Sequence, residues 1–187
     1  MPNEVKAKTM AEIPMQRSRN PASSAEARGC YFNSANAFNL VLPPVPDTVF
    51  VDEPIAALAH NAPTGYITCD LSSEMENNTP ATTPLLLARY ARINADDTLT
   101  PDFNTAGSIW YVIQGSGAVS LTEEDFSWSA GDVFVLPGTA VTLKSDAVDS
   151  VLWVVTNEPQ LQFENAISAH FDQSAVDVSY FSAAAID

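Results

Sequence analysis

Imidazole and thiol side chains, which bind transition metals and can act as bases or nucleophiles near neutral pH, are scarce in this chain. It has two histidines, His60 and His170, and two cysteines, Cys30 and Cys69. The cysteines have no metal-ligand spacing, so free, partly buried thiols are expected for both. No Ser-His-Asp order, phosphate-binding loop or Cys/His cluster stands out. Chemistry in this protein must therefore rest on other side chains or on a partner.

The elements that would position such side chains are clearest between residues 107 and 138. This stretch holds five of the seven glycines, which separate short runs of β-branched and aromatic residues. The predicted strands are Ile109–Ile113, Ala118–Leu121, Phe126–Trp128 and Val133–Leu136. Strands this short, divided by turn signals this regular, indicate an antiparallel sandwich or barrel.

Two segments of this stretch carry a family resemblance. Tyr111–Gly117 (YVIQGSG) is similar to the end of the first motif of the cupin superfamily, and Gly131–Gly138 (GDVFVLPG) to the start of the second. The resemblance covers roughly residues 80–157 and is closest to one barrel of a bicupin related to gentisate 1,2-dioxygenase. It implies an all-β fold: a single cupin (jelly-roll) β-barrel with an N-terminal arm and few short helices.

The resemblance also implies where metal ligands would stand. A metal-binding cupin has a His-x-His pair, then a Glu, and a last His after the Pro-Gly of the second motif. Here Asp102 and Asn104 occupy the His-x-His positions, Ser108 the Glu position and Thr142 the last His position. Imidazole is the usual protein ligand for Fe, Mn, Ni or Zn in such a site. A site of three His and one Glu therefore cannot form from these residues.

Two interpretations of these four positions remain open. Hard cations accept oxygen ligands, so one carboxylate, one amide and two hydroxyls form a conceivable but weak site. In the other interpretation the barrel is degenerate and has lost its metal site. We adopt the second as the working interpretation, with no metal and no cofactor.

Alternation along the strands predicts which side chains enter the barrel. If Ser108 points inward like the family glutamate, Trp110 and Val112 do so too. Tyr111 and Ile113 then face a flanking sheet or a partner. An inward Trp110 either stacks on a ligand or simply fills the core.

The predicted strand Leu85–Ile93 places Arg89 on one face and Arg92 on the other. Only one of them can point into the barrel, where it would be a ready anchor for a carboxylate. Pairing with one of the chain's many acidic residues is the alternative. The complete set of predicted pocket residues is Asp102, Asn104, Ser108, Trp110 and Thr142, with Arg89 added if it points inward.

The charge distribution argues against several classes of partner. The net charge is −15, and five of the eight basic residues lie within residues 1–28. With three acidic residues there, that segment carries 5 − 3 = +2, which leaves −15 − 2 = −17 for the rest. A body this acidic repels phosphate backbones and anionic membrane surfaces, so we expect no nucleic-acid and no membrane partner.

Three segments are expected along the chain. Residues 1–28 are polar and predict a flexible arm; residues 29–159 hold the barrel and an N-terminal strap; residues 160–187 form a C-terminal extension. Further predicted elements are a helical turn at Ile55–His60, strands at Tyr66–Leu71 and Val151–Thr156, and a short helix near Phe163–His170. The chain has the plan of a natural single barrel or of half a bicupin. Without a signal-peptide core or a run of roughly 20 apolar residues, a cytoplasmic location is expected.

The leading functional hypothesis is a metal-free cupin domain without dioxygenase activity of its own. It would bind a small molecule or serve as a structural barrel, as a homodimer. The alternative is a cupin enzyme, dioxygenase-like or lyase/isomerase-like, that uses an oxygen-ligated metal or side-chain acid/base chemistry. Neither His60 nor His170 falls where a general base inside the barrel would have to stand.

Overall fold

The computed structural model describes residues 12–33, 45–121, 125–138, 141–169 and 173–186. The chain divides into two units, Met1–Pro44 and Val45–Asp187. The arm boundary expected after residue 28 lies inside the first unit and stays a prediction. The apolar part of the expected strap, residues 38–42, lies outside the described residues.

The described part of the first unit contains a short helix, α1 (Ser24–Arg28), which the sequence analysis did not predict. Ser23 caps it, with the Ser23 hydroxyl accepting a hydrogen bond from the Glu26 backbone N–H at 3.1 Å. The Glu26 carboxylate in turn accepts from the Ala22 N–H at 2.6 Å. Reciprocal capping of this kind satisfies N–H groups that the first helical turn leaves free.

The second unit consists of ten strands and three short helices among its described residues. The strands are β1 (Gly65–Cys69), β2 (Leu87–Ile93), β3 (Thr98–Leu99), β4 (Gly107–Gln114), β5 (Ser116–Ser120), β6 (Asp125–Ser129), β7 (Val133–Pro137), β8 (Thr142–Ser145), β9 (Ser150–Thr156) and β10 (Ser179–Phe181). The helices are α2 (Asp52–Leu58), α3 (Glu158–Phe163) and α4 (Ala183–Ile186).

These strands form two antiparallel sheets. The larger has the order β1-β2-β9-β4-β7-β10 and the smaller the order β3-β8-β5-β6. Strands β4 and β5 are separated by Gly115 alone, whose φ of +89° a residue with a side chain rarely adopts. The chain thereby passes from the larger sheet to the smaller. An all-β jelly-roll domain with few short helices is thus confirmed.

The core lies between the two sheets and is supplied by alternate residues of their strands. On β4, Ser108, Trp110 and Val112 are buried, whereas Ile109 and Tyr111 are 53% and 42% exposed. This is the alternation predicted from the sequence. The predicted outward position of residue 113 falls at a register shift between Val112 and Gln114.

The opposite face of the larger sheet is partly covered by α2. Arg92 is buried there and donates to the Ala57 carbonyl near the end of that helix at 2.9 Å. Its guanidinium also pairs with the Asp149 carboxylate at 2.5 Å. A buried guanidinium needs such partners because an unpaired charge away from water is costly. Arg92 therefore fixes α2 to the sheet from outside the barrel.

The end of the chain is attached to the sheet through Asp132. The Asp132 carboxylate accepts from the Tyr180 hydroxyl at 2.7 Å and from the Ala183 N–H at 2.8 Å. It also accepts from the Ser129 N–H at 2.7 Å. Burial raises the pKa of Asp132, but these hydrogen bonds outweigh it, and the net pKa lies below the usual value. Asp132 thus holds β10 beside β7.

Several sequence predictions differ from the structure at the ends of elements. The helix predicted near residues 163–170 begins instead at Glu158, with Pro159 in its first turn, where a missing N–H does no harm. Strands β3, β8 and β10 were not predicted, because short strands of this kind depend on their partners more than on their own sequence. Among the described residues, none of the helices is both long enough and apolar enough to cross a bilayer.

Candidate functional site: the closed end of the barrel

A column of aromatic rings fills the barrel interior. The Trp110 ring lies between Phe103 and Phe134, with centroid distances of 6.5 and 5.9 Å and interplanar angles of 23° and 11°. The Trp110 indole N–H donates to the Ser108 hydroxyl at 2.8 Å, and both side chains are buried. Trp110 is therefore held both by its ring faces and by its only polar atom.

Little space remains at the end of this column. The cavity beside Ser108 measures about 10 Å³, which is room for about one water molecule. It is lined by Pro101, Phe103, Thr105, Ser108, Pro137, Gly138 and Val141. Part of the closure comes from the backbone, since a Cβ on Gly138 would lie 1.6 Å from the Thr105 carbonyl oxygen.

The two residues at the His-x-His positions lie at the surface. Asp102 is exposed. The exposed Asn104 connects to the chain beyond α3: its amide N–H donates to the Ala166 carbonyl at 3.0 Å and its amide oxygen accepts from the Ser168 N–H at 2.9 Å. Asn104 thus tethers the segment that follows α3.

The other two positions differ from each other. Ser108 lines the small cavity, and its hydroxyl already accepts from Trp110. Thr142 lies on β8 between Val141 and Leu143, which are both buried in the core cluster, so alternation turns Thr142 toward the other face. Whether any of the four contacts a ligand stays a prediction.

These residues do not fit a metal ion. Their donors are one exposed carboxylate, one amide already hydrogen-bonded twice, and two hydroxyls, of which one is engaged by Trp110. Divalent cations need several oxygen or nitrogen ligands around one point. In the part of the chain that the structure describes, no group of three or more His, Cys, Asp or Glu residues could hold one.

Arg89 is the arginine of β2 that points inward. It shares its parity with the core residues Ala91 and Ile93. Its Nη1 pairs with the Glu158 carboxylate at 2.6 Å, and its guanidinium carbon lies 4.4 Å from the centroid of the Phe103 ring. Arg89 thus points inward and is also paired with an acid, and its role as an anchor for a ligand carboxylate stays a prediction.

Tyr66 is the neighbour of this ion pair on β1. Its ring contacts Phe103 at a centroid distance of 5.1 Å, and its buried hydroxyl has no hydrogen-bond partner among the described residues. Burial raises the pKa of Tyr66, and the Glu158 charge adds to the rise while Arg89 opposes it. The hydroxyl therefore stays protonated and is a free donor at the closed end of the barrel.

Sequence reasoning missed Tyr66, Phe103 and Glu158 as members of this region. Tyr66 lies in the predicted strand Tyr66–Leu71, and neither Phe103 nor Glu158 is among the predicted pocket residues. The alternation of β1 could have indicated an inward Tyr66 once its register with β2, Tyr66 opposite Ala91, was known. No local signal indicates that Glu158 pairs with Arg89.

The remaining reactive residues lie elsewhere. His60 is exposed, following α2, and only its backbone carbonyl takes part in the Arg92 network. His170 lies outside the described residues. Both thiols are free; Cys69 is buried, as expected, whereas Cys30 is exposed. Burial raises the pKa of Cys69 to about 11, so this thiol is not a nucleophile at neutral pH.

Comparison with known proteins gives relatives that match only part of this chain. The 5-aminosalicylate 1,2-dioxygenase of Comamonas sp is 29% identical over 87 residues, which is 46% of this chain and 23% of that protein. The chain therefore spans about a quarter of the length of this curated relative. No family model matches the sequence.

Solved structures give a similar result. Salicylate 1,2-dioxygenase from Pseudoaminobacter salicylatoxidans is similar over 54% of this chain and 28% of its own, with 20% identity and a TM-score of 0.45. The EutQ protein of Clostridium difficile is similar over 53% of this chain and 72% of its own, with 21% identity and a TM-score of 0.39. The fold is an all-β jelly roll of two antiparallel sheets. The resemblance expected from the two glycine-bounded motifs is confirmed.

Proposed function

We propose that this cupin barrel is a structural domain without dioxygenase activity of its own. The observation that carries the proposal is the aromatic column, beside which the described residues enclose a cavity of about 10 Å³ at Ser108. A pocket for a small organic ligand normally measures hundreds of Å³. A substrate could enter only if Trp110 or Phe103 left its packed position, which would cost several kcal/mol.

The engagement of the polar groups supports the same proposal. Ser108 accepts from Trp110, and Asn104 is used in tethering the segment after α3. Side chains committed to intramolecular bonds are poor ligands, because binding would first have to break those bonds. The domain would then contribute stability and a surface to an assembly, and any catalysis would belong to another domain or chain.

A second candidate function, the binding of a small carboxylate, rests on a different observation. The guanidinium of Arg89 uses only Nη1 among the described residues, and the neighbouring Tyr66 hydroxyl is unpaired. A carboxylate accepts well from such donors. The Comamonas relative is by its name an aminosalicylate dioxygenase, so its substrate carries a carboxylate. In this candidate Phe103 would move aside to admit the ligand.

Oxygen uptake is the direct test. The chain, purified without an affinity tag and incubated with Fe(II), would be mixed with gentisate, salicylate or 5-aminosalicylate in an oxygen-electrode cell. We expect the same uptake as with Fe(II) and substrate alone. Enzyme-dependent uptake that is lost in Arg89→Met would overturn the structural proposal and establish the alternative, a cupin enzyme.

Thermal unfolding separates the two candidates. A ligand that binds the native state raises its melting temperature, by an amount that grows with ligand concentration. We expect no rise with millimolar salicylate beyond that of chloride at equal ionic strength. A rise that disappears in Arg89→Met, but persists in the matched surface variant Lys144→Met, would instead favour carboxylate binding.

A further inference from the structure

Two segments that lie outside the strands meet at the closed end of the barrel. We call residues 101–106, which precede β4, the plug loop, and residues 157–168, which contain α3, the latch segment. Phe103 of the plug loop packs on the Trp110 ring at a centroid distance of 6.5 Å. Access to the barrel interior from this end therefore depends on where the plug loop lies.

Asn157 joins the start of the latch segment to the plug loop. The Asn157 side-chain oxygen accepts from the Ala106 N–H at 2.9 Å and lies 2.7 Å from the Thr105 hydroxyl. The Asn157 N–H in turn donates to the Thr105 hydroxyl at 3.2 Å. Thr105 is buried, and hydrogen bonds sheltered from water are electrostatically stronger than exposed ones. This connection therefore couples the two segments tightly at one end.

The far end of the latch segment returns to the same loop. Asn165, just after α3, has a φ of +53°, a left-handed conformation that asparagine adopts more readily than most residues. The Ala166 N–H there donates back to the Leu161 carbonyl at 2.8 Å, which turns the chain toward the plug loop. Asn104 then bonds to Ala166 and Ser168. The latch segment is thus fastened to the plug loop at both of its ends.

A third connection joins the latch segment to β2. The Glu158 carboxylate pairs with Arg89 Nη1 at 2.6 Å and accepts from the Thr156 hydroxyl at 2.7 Å. The Arg89 guanidinium lies over the Phe103 ring, 4.4 Å from its centroid, where a cation is attracted to the ring face. Glu158 therefore fixes the guanidinium against which the plug residue Phe103 packs.

We propose that the plug loop and the latch segment form a lid that opens as one unit while the strands stay paired, with Asn104, Asn157 and Glu158 as its latches. The connections made by these three residues are hydrogen bonds and one ion pair. The later part of the latch segment buries little apolar surface, since Phe163 and Ile167 are 86% and 89% exposed. Segments of this kind open at a lower free energy than the strands of a core.

The groups beneath the lid favour such an opening. Phe103 packs against both Tyr66 and Trp110, so its departure with the plug loop would uncover the Tyr66 hydroxyl and the small cavity beside Ser108. That hydroxyl is buried without a partner among the described residues, and water would satisfy it in the open state. The lid thus controls access to the interior. This inference goes beyond the structural function proposed above and assumes no ligand.

Hydrogen exchange of single amides, followed by NMR on the complete chain, tests whether the lid opens as one unit. The reporters are the N–H groups of Ala106 and Asn157, one on each segment, and the Val112 N–H on β4 is the reference for the barrel. With Glu158→Gln we expect about tenfold faster exchange at both reporters and no change at Val112. Glu164→Gln, the matched loss of one charge from the same segment, should change none of them. Equal exchange rates in the two variants would overturn the proposal.

Asn104→Ala tests the coupling from the opposite end of the latch segment. Asn104 is exposed, so its substitution leaves the core intact. Its bonds are made to Ala166 and Ser168, yet we expect faster exchange at Asn157 as well, because a lid that moves as one unit transmits the loss. Acceleration confined to the residues next to Ser168 would indicate local fraying and contradict the proposal.

Labelling of a thiol inside the barrel tests whether the opened lid exposes the interior. In a chain whose two cysteines are replaced by alanine, Ser108→Cys places a single thiol at the small cavity. We expect a maleimide to label this thiol about tenfold faster when Glu158→Gln is added than when Glu164→Gln is added. Equal labelling rates would show that the interior is reached by another route, and the lid would be excluded.

Discussion

The two faces of the larger sheet are built by alternate residues of the same strands, yet they end in opposite states. On β4, Trp110 is sealed between Phe103 and Phe134, whereas the adjacent Tyr111 is 42% exposed. Among the described residues, the inner face has a cavity of about 10 Å³ beside Ser108, whose hydroxyl is already engaged by Trp110. The outer face exposes aromatic side chains on β9, β4 and β10, while α2 and the Arg92–Asp149 pair occupy its β1–β2 side. The comparison teaches that side-chain alternation along one strand seals one aromatic ring in the core and leaves the next one exposed.

The same contrast separates the two arginines of β2. Inward Arg89 retains unpaired N–H groups beside the Tyr66 hydroxyl, while outward Arg92 is saturated by Asp149, Asn94 and backbone carbonyls. Among the described residues, the buried polar atoms without a partner are the Tyr66 hydroxyl, at the closed end of the barrel, and the Trp128 indole N–H. Whether Arg89 or any of the family's ligand positions binds a small molecule stays a prediction.

The largest expected effect is at the centre of the inner face. Trp110→Ala removes a fully buried ring from the aromatic column and should lower the free energy of unfolding by about 3–5 kcal/mol. Trp153→Ala is the matched change on the outer face. It should lower the free energy of unfolding by well below half as much, because the Trp153 ring is partly exposed. Urea denaturation at low protein concentration measures both. Equal losses would break the contrast between the faces.

The second largest loss in the free energy of unfolding is expected for substitution of Arg92. Arg92→Ala leaves the end of α2 and the Asp149 carboxylate without their buried partner, and we expect a loss of roughly 3 kcal/mol. Arg89→Ala should cost less, because Arg89 has one carboxylate and one hydroxyl partner only. Urea denaturation of both variants shows which substitution lowers the free energy of unfolding more. A larger loss at Arg89 would mean that the closed end contributes more to folding than the outer network.

The attachment of β10 should depend on pH. The folded pKa of Asp132 lies below its unfolded value of about 3.9, so its contribution is present above that pH and is lost as pH falls through the folded pKa. Asp132→Asn should lower stability near pH 7 by about 1–2 kcal/mol and reduce the acid dependence. Hydrogen exchange at Ser179–Phe181 follows the detachment directly. Unchanged acid dependence would exclude Asp132 as the group responsible.

The smallest effects are expected at the positions that correspond to the family's metal ligands. Ser108→Ala leaves the Trp110 N–H without its acceptor and should cost about 1–2 kcal/mol. Asp102→Ala changes an exposed side chain and should stay within about 0.5 kcal/mol. The melting temperatures of both variants, measured with and without Fe(II), give the comparison with the unmodified chain. A metal-dependent difference between Asp102→Ala and the unmodified chain would restore an oxygen-ligated site.

The strand pattern around the glycines could be predicted because local chemistry determines it. Gly115 and Gly131 adopt φ values of +89° and +92°, and the runs between such turns became β4 to β7 within one or two residues. The alternation of side chains along β4 then correctly predicted that Ser108 and Trp110 point into the core and that Tyr111 points outward. These inferences need only neighbouring residues.

The closed state of the interior could not be predicted in this way. It depends on Phe103, which packs against both Tyr66 and Trp110, and on the pairing of Glu158 with Arg89. Each contact joins segments distant in sequence. Asp102 and Asn104 are exposed because of the course of the loop before β4. The spacing of residues in the sequence does not predict that course. The degenerate motif indicated lost ligands but not what fills their place.

The central proposal of this account is that the inner face of the barrel does not bind a metal ion. The most direct measurement is elemental analysis of the untagged chain, purified without chelators and incubated with Fe(II), Mn(II), Ni(II) or Zn(II) before desalting. We predict far less than one metal ion per chain, and the same trace in Asp102→Ala. About one ion per chain, lost in Asp102→Ala, would contradict the account and place an enzyme reading first.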